Sequence, residues 1–160
     1  MSVTNRRFAV ATLLTGVIAG LVGLACIHLL HWIQALAWDM HSGTLLEAVS
    51  AASPARRVLN LVLGGILGAA SWFFLFRRSR AITSVSAAVG GTPMPPLRAT
   101  WHALTQVLIV GLGASVGREV APREMAAAFS AAAADRLGLT PEDRRIIVAC
   151  GAGAGLAAVY

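Results

Sequence analysis

Between positions 8 and 38 the chain contains no Asp, Glu, Lys or Arg. Wound as one helix at 1.5 Å per residue, that run would be about 46 Å long, against a bilayer hydrocarbon core of about 30 Å. A tilted or overhanging membrane span accounts for such a length. Arg6 and Arg7 before an apolar stretch also fit a signal peptide, the twin-Arg kind included, and Leu24-Ala25-Cys26 faintly resembles a lipoprotein cleavage site. The run is too long for a signal core, and more apolar sequence follows it. Of all residues 57% are hydrophobic and 12% charged, about half the charged share of a soluble domain. The net charge of +6 comes with Arg alone among basic residues. These arginines stand in pairs beside apolar runs rather than in a stripe, which marks membrane flanks and argues against a nucleic-acid partner. The absence of Lys beside abundant Ala, Gly and Arg hints at a GC-rich bacterial genome.

Residues 39–57 form a polar connector containing His41, Ser42, Gly43, Glu47, Ser53 and Pro54. A second uncharged run over 58–76 ends on Arg77, Arg78 and Arg80, a second span with a basic stop. Arg6, Arg7 and that cluster outnumber Arg56 and Arg57, so the positive-inside rule places the N-terminus in the cytoplasm and the connector outside. Gly16 with Gly20, and Gly64 with Gly68, make small-residue faces suited to close helix packing. Trp32 and Trp38 suit the interfacial belt. His28, His31 and Gln34 share a face and are expected to be interfacial or packed on another helix. No carboxylate or Cys joins them there as a metal ligand. Cys26 and Cys150 each lie in an apolar run, with no disulfide framework or metal-ligand spacing. No metal and no cofactor are expected.

After Arg80 the pattern breaks. Residues 81–89 are too few to cross a bilayer and lead through Gly90-Gly91 into Thr92-Pro93-Met94-Pro95-Pro96. Expected helices are about 8–38, 58–76, 84–90, 99–113, 120–134 and 141–160. Trp101 and His102 open the fourth near an interface. The fifth is rich in Ala and thin enough to sit deep in a bundle. Thr140, Pro141, Glu142 and Asp143 supply a hydroxyl cap, a first-position proline and acids in the first turn of the last. That helix reaches Tyr160 without a cap or tail, so the chain reads as a single helical membrane region cut short at its C-terminus.

Between the fourth and fifth helices stands "GLGASVGREVAP", residues 111–122, with charge inside a glycine-rich apolar stretch. Lipid offers no hydrogen bonds, so irregular backbone at depth must be buried in protein or line a polar cavity. The first amides of a helix beginning near Glu119 or Val120 are unpaired and carry the positive end of its dipole, which suits an anion. Broken helices aim such ends at bound anions in transporters. Gly117 permits the turn. Glu119 can occupy the same amides as a tethered competitor, released on protonation. The plainer reading of Arg118 and Glu119 is a structural ion pair. Arg123 and Glu124 read as flanking charges.

Gly117-Arg118-Glu119 with Pro122 resembles the G-[KR]-E-G-P motif of the CLC family of chloride channels and chloride/proton antiporters. The likeness extends from a Gly-rich helix end through the motif, a small-residue helix and a charged turn to "GAGAGLAAVY", residues 151–160. It covers roughly 58–160 and is strongest from 107 onward. The resemblance implies an all-α, polytopic membrane fold with short and broken helices, corresponding to most of the first of two inverted halves. It implies Glu119 as the gating residue and Gly117, Arg118 and Val120 as the helix start approaching the anion. Here Val120 replaces the family's Gly and Ala121 intervenes before Pro122. The family's serine-bearing anion turn has no literal match. Ser84 is its counterpart by position, and Thr92 by the Gly/Pro skeleton.

The resulting expectation is movement of chloride or a similar monovalent anion, by a channel or a proton-coupled antiporter, in a homodimer set in a bilayer, with the bacterial inner membrane as location. The contrasting expectation is a non-conducting helical membrane protein assembled through its glycine faces. No HExxH, GxSxG or paired acidic metal ligands suggest an enzyme.

Overall fold

A computed structural model describes residues 3–40, 42–77 and 82–160, with side chains from residue 5 onward. His41 of the connector and Arg78 and Arg80 of the basic stop lie outside the described residues. Seven helices run in order among those described: α1 (Val3–Trp38), α2 (Leu45–Ala51), α3 (Pro54–Arg77), α4 (Val85–Val89), α5 (Pro96–Gly111), α6 (Val120–Arg136) and α7 (Pro141–Ala157). α1 and α3 are long and apolar enough to cross a membrane. Their outward faces are apolar: Leu13 is 73% exposed and Ile66 59%.

α6 is the centre of the bundle. Ala126, Ala127, Ala128 and Ala134 have no exposed surface, and such small side chains let α1, α5 and α7 close around it. A stripe of Ala19, Val22, Cys26, Leu30 and Ile33 on α1 meets Ala103 and Val107 of α5 and Ala121 and Met125 of α6. α7 comes closest: a methyl group built on Gly155 would fall 2.5 Å from the Pro122 carbonyl oxygen. Behind α5, Gly64 and Gly68 of α3 are buried beneath Leu112 and Ile109. Trp101 Nε1 donates to Ser71 Oγ at 2.8 Å, and Ser71 and Thr105 share a hydrogen bond of 2.6 Å.

Several expectations change. The 39–57 connector contains α2, held by a reciprocal cap in which Thr44 N–H donates to Glu47 Oε2 at 2.9 Å and Glu47 N–H to Thr44 Oγ1 at 3.3 Å. Arg56 and Arg57 do more than flank a span. The Nε–H of Arg56 and the Nδ2–H of Asn60 both donate to the Ala37 carbonyl at 2.8 Å, pairing an orphan acceptor at the end of α1. Arg57 does the same for Ala52 at 3.0 Å and Ser50 at 2.6 Å at the end of α2. Gly16 and Gly20 pack on nothing in the described chain. Each lies one residue, about 100°, off the inward stripe of α1. Trp38 is buried rather than interfacial, whereas Trp32 is 63% exposed.

Candidate functional site

The break that the sequence marks is built by turn chemistry on one side and by glycine on the other. α5 stops at Gly111, and Gly113 takes φ 103°. The N–H of Gly113 returns to the Val110 carbonyl at 3.0 Å and that of Ala114 to Ile109 at 2.9 Å, a complete Schellman ending. Trp38 braces this turn: its Nε1–H donates to the Gly111 carbonyl at 2.9 Å, and its ring lies against Gly113. Beyond the turn Gly117 takes φ 85°, and α6 begins at Val120 with Glu119 at its cap position.

Glu119 does not cap the helix with its side chain. Its carboxylate instead curls over the Gly117 backbone: a methyl group built on Gly117 would meet Glu119 Oε1 at 2.6 Å. The first helical bond is the Arg123 N–H to the Glu119 carbonyl at 3.4 Å, and the amides from Gly117 to Ala121 donate to no backbone carbonyl among the described residues. Pro122, the third residue of α6, contributes no N–H. Free donors and a local carboxylate thus occupy one turn.

Arg118 does not pair with Glu119. It is exposed, and its guanidinium stands 5.9 Å from the centroid of the Tyr160 ring. Beside the turn lies a small cavity of about 10 Å³, lined by Cys26, Gln106, Val110, Gly117, Arg118 and Val159 among others. That is close to the smallest space that holds a water molecule.

Glu124, expected to be a plain flanking charge, is inside the bundle. Its Oε2 lies 2.7 Å from His102 Nδ1, with the two side chains only 14% and 18% exposed. Gln106 Nε2 stands 2.8 Å from the same His102 nitrogen and 3.3 Å from Glu124 Oε2. The sequence carries a signal for this cluster: His102 and Gln106 are four apart and so share one face of α5. Only the packing of α6 supplies the carboxylate. Arg123 remains exposed.

Ser84 does open α4, where its Oγ accepts the Ala87 N–H at 3.2 Å. It is exposed, and α4 packs beside Ala127, Ala128 and Ala131 rather than the start of α6. Thr92 is also exposed and follows Gly91, whose φ is 104°. A bond from Thr83 Oγ1 to the Pro93 carbonyl at 2.9 Å holds these two turns together. Neither hydroxyl contacts Glu119 in the described chain. His28 and His31 are exposed while Gln34 is buried, and no group of three metal-ligating residues forms among the described residues.

Long apolar helices, short helices that stop within the bundle and a glycine-built interruption with unpaired amides define a polytopic helical membrane protein organised around a broken helix. The family model described as voltage gated chloride channel matches residues 64–160. The chain belongs to this voltage-gated chloride channel family. It is 31% identical over 161 residues to a voltage-gated ClC-type chloride channel, ClcB, of Escherichia coli O81 (strain ED1a), covering 97% of this chain and 38% of that protein. It is 30% identical over 158 residues to ClcB of Yersinia pseudotuberculosis serotype O:1b (strain IP 31758), covering 92% of this chain and 38% of the relative. The chain thus spans 38% of the length of these curated relatives. No solved structure matches it.

Proposed function

We propose that the protein moves chloride or a similar monovalent anion across a membrane, with the amides at the start of α6 as part of the anion site and Glu119 as its gate. The observation that carries this reading is the Glu119 carboxylate folded over Gly117 beside amides that have no backbone acceptor. Donors arranged in this way stabilise negative charge at a helix start. An anion and the carboxylate compete for them. Protonating Glu119 removes the competitor, so anion entry and proton uptake are coupled at this residue in either a channel or an antiporter. Gly117, Arg118 and Val120 provide the approach. We further propose a homodimer in a bacterial inner membrane, the N-terminus cytoplasmic, with this single helical region as one part of the pathway.

The test is the thermal stability of the complete protein in detergent, in chloride and in an equal concentration of gluconate. A ligand that binds only the folded state raises the unfolding temperature with its concentration. Stabilisation that grows with the logarithm of chloride concentration, absent in gluconate, is expected. Identical melting in the two salts would remove the anion site.

A further inference from the structure

Gln106 is 5% exposed, lines the cavity beside Gly117 and Arg118, and leaves its Oε1 buried without a hydrogen-bond partner. A buried polar atom left unsatisfied is costly, and native chains retain few of them. The reason for its orientation lies at the other end of the amide. Nε2 faces Glu124 Oε2 and His102 Nδ1. An ionised carboxylate only accepts hydrogen bonds, so it must meet the amide's N–H group. With one proton on the line between His102 Nδ1 and Glu124 Oε2, whichever atom holds it, an acceptor remains for that N–H. A second proton ends this arrangement. His102 Nδ1 then no longer accepts and Glu124 gains an O–H donor, so a donor becomes available to the amide oxygen that it lacked before.

We infer that Gln106 is a further anion-facing residue, whose amide presents its oxygen to the cavity while the His102–Glu124 pair holds one proton and turns its NH2 group there when the pair holds two. This rests on the anion site proposed above and adds to it a second proton-sensitive element, distinct from Glu119. An amide oxygen repels an anion beside the α6 amides, whereas an amide NH2 donates to it. On the elements packed here, Cys26 of α1 lies 3.9 Å from Met125 Sδ, Arg98 is on α5, Arg123 adjoins Glu124 on α6, and Arg118 and Glu119 stand at the break. His28 and His31 of α1 are exposed, and Glu142 and Asp143 sit in the first turn of α7, at the opposite end from Gly155, which meets Pro122. α3 carries no titratable residue between Arg57 and Arg77. It presents Trp72, whose ring centroid is 6.1 Å from that of His102.

The experiment measures chloride affinity of the complete protein by calorimetry from neutral to acid pH, in an E119Q background whose gate carries no ionisable group. Affinity is expected to rise about threefold to tenfold on acidification, the scale of one hydrogen bond gained. Gln106→Met fills the same volume without the amide and is expected to flatten that rise. The double variant H102Q/E124Q, which removes the ionisable pair and keeps polar groups, is expected to flatten it too. Chloride binding in E119Q that does not change with pH, or a pH response that survives both variants, would overturn the role of Gln106 and leave the anion site standing. No chloride binding at any pH would overturn the site itself, and this inference with it.

Discussion

The indole N–H of Trp38, the last residue of α1, donates to the carbonyl of Gly111, the last residue of α5, at 2.9 Å in a buried setting. One hydrogen bond therefore ties the end of the first long helix to the turn that begins the break. Trp38→Phe keeps most of the ring but leaves that carbonyl without its donor. The expected loss is about 1–3 kcal/mol, read as earlier thermal unfolding in detergent. Unaltered melting would mean that the bond contributes nothing.

Glu119→Gln mimics the protonated gate while preserving shape. The wild-type flux of chloride into liposomes is expected to increase as pH falls, because protonation frees the amides of the α6 start. In the variant the larger part of that dependence should vanish, with flux at neutral pH near the acid level of the wild type. A variant whose pH profile coincides with wild type would exclude Glu119 as the gate.

Gly117→Ala tests the turn. At φ 85° a Cβ is strained, at about 1–2 kcal/mol, and it would occupy the position of the Glu119 carboxylate. Both effects push the carboxylate away from its resting place. Chloride flux should become less sensitive to pH, and melting should occur earlier; a stable variant with an intact pH profile would contradict the geometry.

Two glycines of α7 make an internal control. Gly155→Val forces a branched side chain against the Pro122 carbonyl and Ala126, an overpacking cost of about 1–3 kcal/mol. Gly153 has open space around its missing side chain, so Gly153→Ala should gain up to about 1 kcal/mol from helix preference alone. Denaturation of both variants side by side should shift in opposite directions.

What the sequence discloses follows from the range of each interaction. The uncharged runs of α1 and α3, the glycine pair beneath Ile109 and Leu112, and the Thr140 cap are local patterns, and each is visible in a few residues. The start of α6 beside Glu119 is likewise written in Gly117 and Pro122. Long-range partners are hidden. Trp38 looks interfacial until α5 places Gly111 beside it, and Glu124 looks solvated until α6 turns it toward His102. Gly16 and Gly20 have the right spacing for packing, but the phase of the inward stripe on α1 turns them away. α2 escapes notice because Thr44 and Glu47 cap a helix too short to show a hydrophobic period.

Pro122 gives the α6 start a further property. Without an N–H at that position the arc of donors ends at Ala121, so every backbone donor of the α6 start lies on the Gly117 side of Pro122 and directs what approaches the turn to that side.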